Sequence, residues 1–268
     1  VGAAEQAQAL GVDVGAALFA LHDPHRGHER AFNRYYERDH MYAAAVLAPY
    51  TIAGQRWVAT RALKERRLPA DGPFGPRTAG SYLTMYWIQD GHLADQQAWV
   101  NQQMGSLVAA GRTFDMRDVQ IATVFDRVAV YRREPDGVPP FLALDHRYPG
   151  CAWMILERAD HISLEDCAAW VVTELIPVAG PQSPFDLAVV FTPRPKEPWW
   201  PAAAPEVAGV GSRLAVTLFL DHAPDVVWDE FLVPLAERVT TSDRARLLLL
   251  APFVPTVPGT DRYVDELW

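Results

Sequence analysis

The sequence predicts an α+β fold, two tandem ferredoxin-like βαββαβ units whose sheets pair into a barrel within one chain. Three observations predict it. The order strand, helix, strand, strand, helix, strand can be read twice along the 268 residues. Two strand sequences recur. GSYLTMYWIQD (80–90) lies over GSRLAVTLFLD (211–221), an offset of 211 − 80 = 131, and ALFALHD (17–23) lies over MILERAD (154–160), an offset of 154 − 17 = 137. Finally, each unit places a Pro-rich loop before its third strand, LPADGPFGPRTAG (68–80) and PRPKEPWWPAAAP (193–205).

In the first unit, β-branched and aromatic runs bounded by turn residues mark strands at 16–22, about 52–62, 81–88 and about 119–132. Apolar residues at three-and-four spacing mark helices at about 28–47 and about 92–112. The second unit repeats this with strands at 152–159, 185–192, 212–220 and 246–251. Its helices follow Ser163, an N-cap with Glu165 and Asp166 in the first turn, and span 224–239. The expected division is residues 1–137, carrying the site, and 138–268, a degenerate partner.

Composition excludes several classes. An apolar share of 50% with 21% charged residues describes a globular chain that can bury a large core. A net charge of −9 without any basic run argues against nucleic acid or an anionic membrane as partner. No apolar run reaches the roughly 20 residues that span a bilayer, and the first fifteen residues lack the pattern of a signal peptide. Two cysteines, Cys151 and Cys167, make no disulfide framework and match no metal spacing, so a reducing cytoplasm is expected. No Walker loop, GxGxxG turn, GxSxG elbow, CxxC pair or haem-peroxidase GxxDG motif is present. Nine Trp, nine Tyr and eleven Phe supply aromatic walls for an aromatic or polycyclic ligand, or for a large core.

The stretch FNRYYERDHM (32–41), the helix end Ala48-Pro49-Tyr50 and the strand IAGQRWVAT (52–60) carry the site. Together they resemble the EthD-like branch of the dimeric α+β barrel superfamily, which the resemblance maps onto Tyr35, Tyr36, His40, Pro49 and Arg56. The resemblance implies an open-faced sheet with helices on one side and a pocket between them. The superfamily holds cofactor-independent monooxygenases, polyketide cyclases, lactone isomerases and haem enzymes, so the fold chooses no chemistry.

Phe32, Tyr36, Asp39, His40 and Ala43 share one face of a helix. His40 is the candidate general acid/base, Tyr36 the hydrogen-bond donor to a substrate oxygen, and His22 a second proton-transfer group. Asp39 or a backbone carbonyl would fix the His40 tautomer. Phe32, Asp39, Arg56, Tyr82 and Tyr86 are the candidate substrate-binding residues, the tyrosines on one strand face with Thr84. At the offset of 137, Phe32, Tyr36 and His40 fall on Ala169, Thr173 and Pro177, so the second unit lacks the cluster. The expected function is an enzyme acting on an aromatic or polycyclic metabolite by His/Tyr acid-base chemistry without a nucleotide cofactor: a lyase, isomerase or cyclase, or a cofactor-independent oxygenase. No cofactor or metal is expected. The alternatives are a non-catalytic ligand-binding or stress-response protein, and a haem or metal oxidoreductase. A metal would sit at His22, His25 and His28, and haem on His146, His161 or His222. Sheet edges left after internal pairing would serve a homodimer.

Overall fold

The computed structural model describes residues 11–197 and 208–268. The start of the chain and part of the second Pro-rich loop, both read above, lie outside the described residues. Eight long strands close into one barrel. In chain order they are β1 (Val14–Pro24), β2 (Thr51–Val58), β3 (Tyr82–Gln89), β4 (Arg117–Arg132), β5 (Gly150–Arg158), β6 (Phe185–Pro193), β7 (Arg213–Leu220) and β8 (Ala245–Pro255). The order around the barrel is β1-β3-β2-β8-β5-β7-β6-β4, every recorded pairing antiparallel. Each run of four, β4-β1-β3-β2 and β8-β5-β7-β6, is a split-βαβ sheet. The two seams differ: β4 pairs with β6 from Phe125↔Pro193 to Arg132↔Leu187, whereas β8 and β2 share only Val254↔Val58 and Pro255↔Trp57. Edge surface is left at the short β2–β8 seam, where Thr51–Gln55 of β2 have no recorded strand partner on that side.

The helices are α1 (29–46), α2 (Arg61–Glu65), α3 (Leu93–Ala109), α4 (164–175) and α5 (224–241). α2 corrects the sequence reading, which ran a strand through 59–62. Thr60 ends the strand by accepting the Leu63 amide as an N-cap. Ser163 caps α4 as expected, through the Asp166 amide.

Alternation along the strands sorts the core into an inside and an outside. Phe19, Trp57, Trp87, Trp153, Phe191 and Phe219 fill the barrel, with Phe19 stacked on Trp153 at 5.4 Å. Much of the aromatic supply is thus packing inside the barrel and not the wall of a pocket. Between β5–β7 and helices α4 and α5 the layer is apolar throughout. Between β1–β3 and α1 it holds Phe32, Tyr36, Tyr82 and Tyr86.

The same alternation corrects the repeat alignment. Leu83, Met85 and Trp87 face the barrel interior, as do Ala215 and Phe219, whereas Leu214, Val216 and Leu218 face the helices. An offset of 131 lays Leu83 over Leu214, and being odd it exchanges the two faces, as does 137. In the helices the equivalence is 164 − 29 = 135, because α1 and α4 each begin with seven α-helical residues and continue into five wound as π-helix. Phe32, Tyr36 and His40 therefore correspond to Cys167, Val171 and Leu175, not to Ala169, Thr173 and Pro177. All three are buried in the apolar layer.

Beyond β8 the chain crosses to the first unit. Asp261 binds Arg30 at 2.9 Å and Arg34 at 2.5 Å, and the Trp268 indole donates to Glu29 at 2.6 Å. This tail braces the outer side of α1.

Candidate active site

α1 sets the site through its winding. From Tyr36 to His40 and again from Tyr42 to Val46 its hydrogen bonds span five residues; the Leu47 amide, for example, reaches the Tyr42 carbonyl at 3.1 Å. On a regular α-helix residues i and i+5 point about 140° apart. The wider turn instead brings Tyr35 and His40 together, their rings stacked 5.2 Å apart and the Tyr35 hydroxyl 3.0 Å from His40 Nδ1. Tyr35, not Asp39, is the group that orients the histidine. Asp39 is rotated outward and bound by Arg112 through both guanidinium nitrogens facing it.

A cavity of about 280 Å³ opens between α1, α3 and the helix-facing side of β1 and β4. His22, Tyr36, His40 and Tyr86 line it, as the sequence predicted for these four. Much of the remaining wall is aliphatic, with Gln97 and Asn101 on α3 and Arg117 at the start of β4. These three escaped the sequence reading, and Tyr35, named there as part of the family motif, was given no role at the site. Gln97 and Asn101 stand one helical turn apart on the predicted helix, a signal that could have found them; Arg117 lies two residues before the point where the strand was read to begin.

The other candidates do not reach the cavity. Arg56 is 2% exposed and lies beneath it, 3.8 Å from the Tyr82 ring centroid, 4.8 Å from Tyr36 and 5.2 Å from Phe32. Its guanidinium donates to Asn33 Oδ1 at 2.6 Å and faces Glu37 at 3.6 Å. Phe32 and Tyr82 complete this layer. The residues share the predicted strand and helix faces, but the rings stack over the arginine and take up the space a ligand would need.

Burial holds His40 down to about 4, Arg117 adding to the effect and Asp39 opposing it. His22 is 4% exposed, packs 5.7 Å from the Tyr36 ring, and is pushed well below the usual range by burial, then by Arg117, Arg56 and His40. Both imidazoles are neutral at neutral pH. Burial raises the Tyr86 phenol well above its ordinary value, so it keeps its proton, which points at the Tyr36 oxygen 3.5 Å away. The Tyr36 hydroxyl is then left to donate to a ligand. An unfolded histidine binds a proton as the pH falls below 6.5, while folded His40 resists until about 4. The stability this histidine contributes is full above about pH 6.5 and is lost as the pH falls toward 4. Thermal melts between these limits should show a smaller loss for His40→Gln than for the wild type.

The three loop histidines do not converge. His22 turns into the cavity, His25 sits 3.2 Å from Asp118, and His28 stands at the N-terminus of α1. Among the described residues no three His, Cys, Asp or Glu side chains are grouped to hold a metal. None of the three histidines read as haem ligands lines the cavity. His161 and His222 have side chains 60% and 61% exposed, and exposed His146 packs on Tyr148. The first-unit cavity, at about 280 Å³, falls just below the range of about 300–1,000 Å³ of ordinary ligand pockets.

No family model matches the sequence, and no curated protein matches it. Solved structures do. A candidate chlorite dismutase superposes with a TM-score of 0.55 at 9% identity, covering 96% of this chain and all of the other. A candidate monooxygenase from Fusobacterium nucleatum gives 0.51 at 8% identity, covering 91% and 94%. A variant of DypB from Rhodococcus jostii, in complex with heme, gives 0.48 at 12% identity, covering 96% of each chain. At such identities the likeness of the first two is one of fold, and it extends over the whole barrel. No helix among the described residues is long and apolar enough to cross a membrane.

Proposed function

We propose that this chain, which has the fold of the dimeric α+β barrel superfamily, is a cytoplasmic enzyme that moves a proton on an aromatic or polycyclic metabolite without a nucleotide cofactor. Residues 1–137 carry the chemistry and 138–268 complete the barrel. One observation carries the reading: a neutral histidine, oriented at Nδ1 by a half-buried phenol, stands at the wall of a largely apolar cavity beside a second phenol with a proton to give.

The Tyr35 hydroxyl lies 3.4 Å from the Arg112 carbonyl, which can only accept. With its proton directed there, Tyr35 accepts from His40 Nδ1–H, and Nε2 keeps its lone pair as the base. As Nε2 takes a proton from carbon or from a phenol, negative charge grows on the conjugated oxygen. The Tyr36 hydroxyl donates to that oxygen, backed by Tyr86. The bond between His40 and Tyr35 strengthens as the imidazole charges. Lyase, isomerase and cyclase reactions, and oxygenation of an activated phenol, share this deprotonation.

Anthrone, a tricyclic ketone with acidic methylene protons, tests the shared step. Incubated anaerobically in deuterium oxide, the wild type should exchange those protons faster than buffer, read by proton NMR. Tyr35→Phe should slow exchange roughly 10- to 100-fold, the cost of a hydrogen bond to a group that becomes charged. Saturable binding of anthrone with no exchange above buffer would instead make the chain a ligand-binding protein.

A further inference from the structure

Arg117 is the unexplained charge of the cavity. The other arginines around the site are paired: Arg112 with Asp39, Arg30 and Arg34 with Asp261, Arg56 with Asn33 and Glu37. Arg117 makes no side-chain hydrogen bond and no ion pair among the described residues, and its Nη1 is buried without a partner. Its nearest aromatic contact is the Tyr35 ring, 6.0 Å from the guanidinium carbon. No aspartate or glutamate lines the cavity, whose other titratable walls are His22, His40, Tyr36 and Tyr86. The buried Nδ1 of His22 also lacks a partner. A guanidinium half withdrawn from water, facing aliphatic walls with a donor unused, is costly unless the ligand supplies the counter-charge.

We propose that the cavity takes its substrate as an anion, an aromatic carboxylate or ionised phenol, with the anionic oxygen on Arg117 and the rings against the aliphatic wall. That the bound anion is a substrate rests on the catalytic reading above; that it binds does not. The arrangement also couples binding to chemistry. Arg117 is among the charges that hold both His40 and His22 in their neutral forms. An anion resting on it cancels that charge, so His40 becomes a stronger base only when the site is filled. An uncharged aromatic would bind without this gain.

Calorimetric titration of the full chain with 2-naphthoate and its neutral isostere 2-naphthamide tests the pairing, and 4-nitrophenolate against 4-nitroanisole tests the phenol arm. At least one anion should bind about tenfold or more tighter than its neutral partner. Arg117→Met should bring the two affinities together, while Arg117→Lys keeps part of the difference. Melting temperatures check that the variants fold. Equal affinities for anion and isostere in the wild type, a preference that survives in a folded Arg117→Met, or no binding of either anion overturns the proposal. Because binding is read without turnover, anion preference with no anthrone exchange would sink the catalytic reading alone. Exchange without anion preference would sink the role of Arg117 alone.

Discussion

Replacing His40 with glutamine should lower the rate of anthrone proton exchange by about 10²- to 10⁴-fold, the usual contribution of a positioned general base. Glutamine is of similar size and offers Tyr35 a hydrogen-bonding partner at the same place, so the turn of π-helix loses little beyond the ring stack on Tyr35. What it cannot do is accept a proton at neutral pH. The loss should therefore fall on kcat, with binding of the probe changed little. His22→Gln is the natural control: that imidazole lines the same cavity but stands 5.7 Å, ring to ring, from Tyr36 and carries no orienting partner at Nδ1. A His40→Gln protein that folds and exchanges anthrone within a few-fold of wild type removes His40 from the mechanism.

Arg56→Met should destabilise the fold by about 3–5 kcal/mol, the cost of breaking a buried pair from one side. The guanidinium is 2% exposed and the Glu37 side chain that faces it is 6% exposed. Burial raises the Glu37 carboxyl and Arg56 opposes that rise, so without the arginine the acid must take a proton or sit unpaired. The change also removes the cation from beneath Tyr82, Tyr36 and Phe32, whose rings hold the floor of the cavity. Urea titration should show the midpoint falling without a change in slope. Adding Glu37→Leu should recover much of the loss, because the orphaned carboxylate then disappears. A loss below about 1 kcal/mol would mean that the aromatic layer stands without its arginine.

The contrast between these residues shows what could be read from sequence. Arg56 and His40 were both chosen as polar groups on faces that should be buried; Arg56 is buried and His40 half-buried. The pattern could not say which faced space and which lay under rings, since that depends on how Phe32, Tyr36 and Tyr82 fill the gap between α1 and β3. Asp39 was placed by counting in steps of 3.6, and the π turns broke the count. The pairing of Tyr35 with His40 escaped for the same reason, because five residues is not a helical neighbour distance on a regular helix. The repeat was visible, yet its alignment by matching letters gave odd offsets. Pairing register, which no single strand contains, sets which residues look inward.

Taken alone, the sequence determined the element order, the two-unit α+β barrel, and the set His22, Tyr36, His40 and Tyr86. Those follow from local periodicity and from residue types whose burial must be explained. Only the tertiary structure decided that Tyr35 orients His40, that Arg56 is a buried prop, and that Arg117 stands unpaired at the cavity. Each of these depends on contacts between elements distant in the chain, or on a helical winding that side-chain periodicity does not encode. The asymmetry between the units draws on both: the sequence shows it as a missing motif, and the fold shows Cys167, Val171 and Leu175 sealing the space that in the first unit stays open.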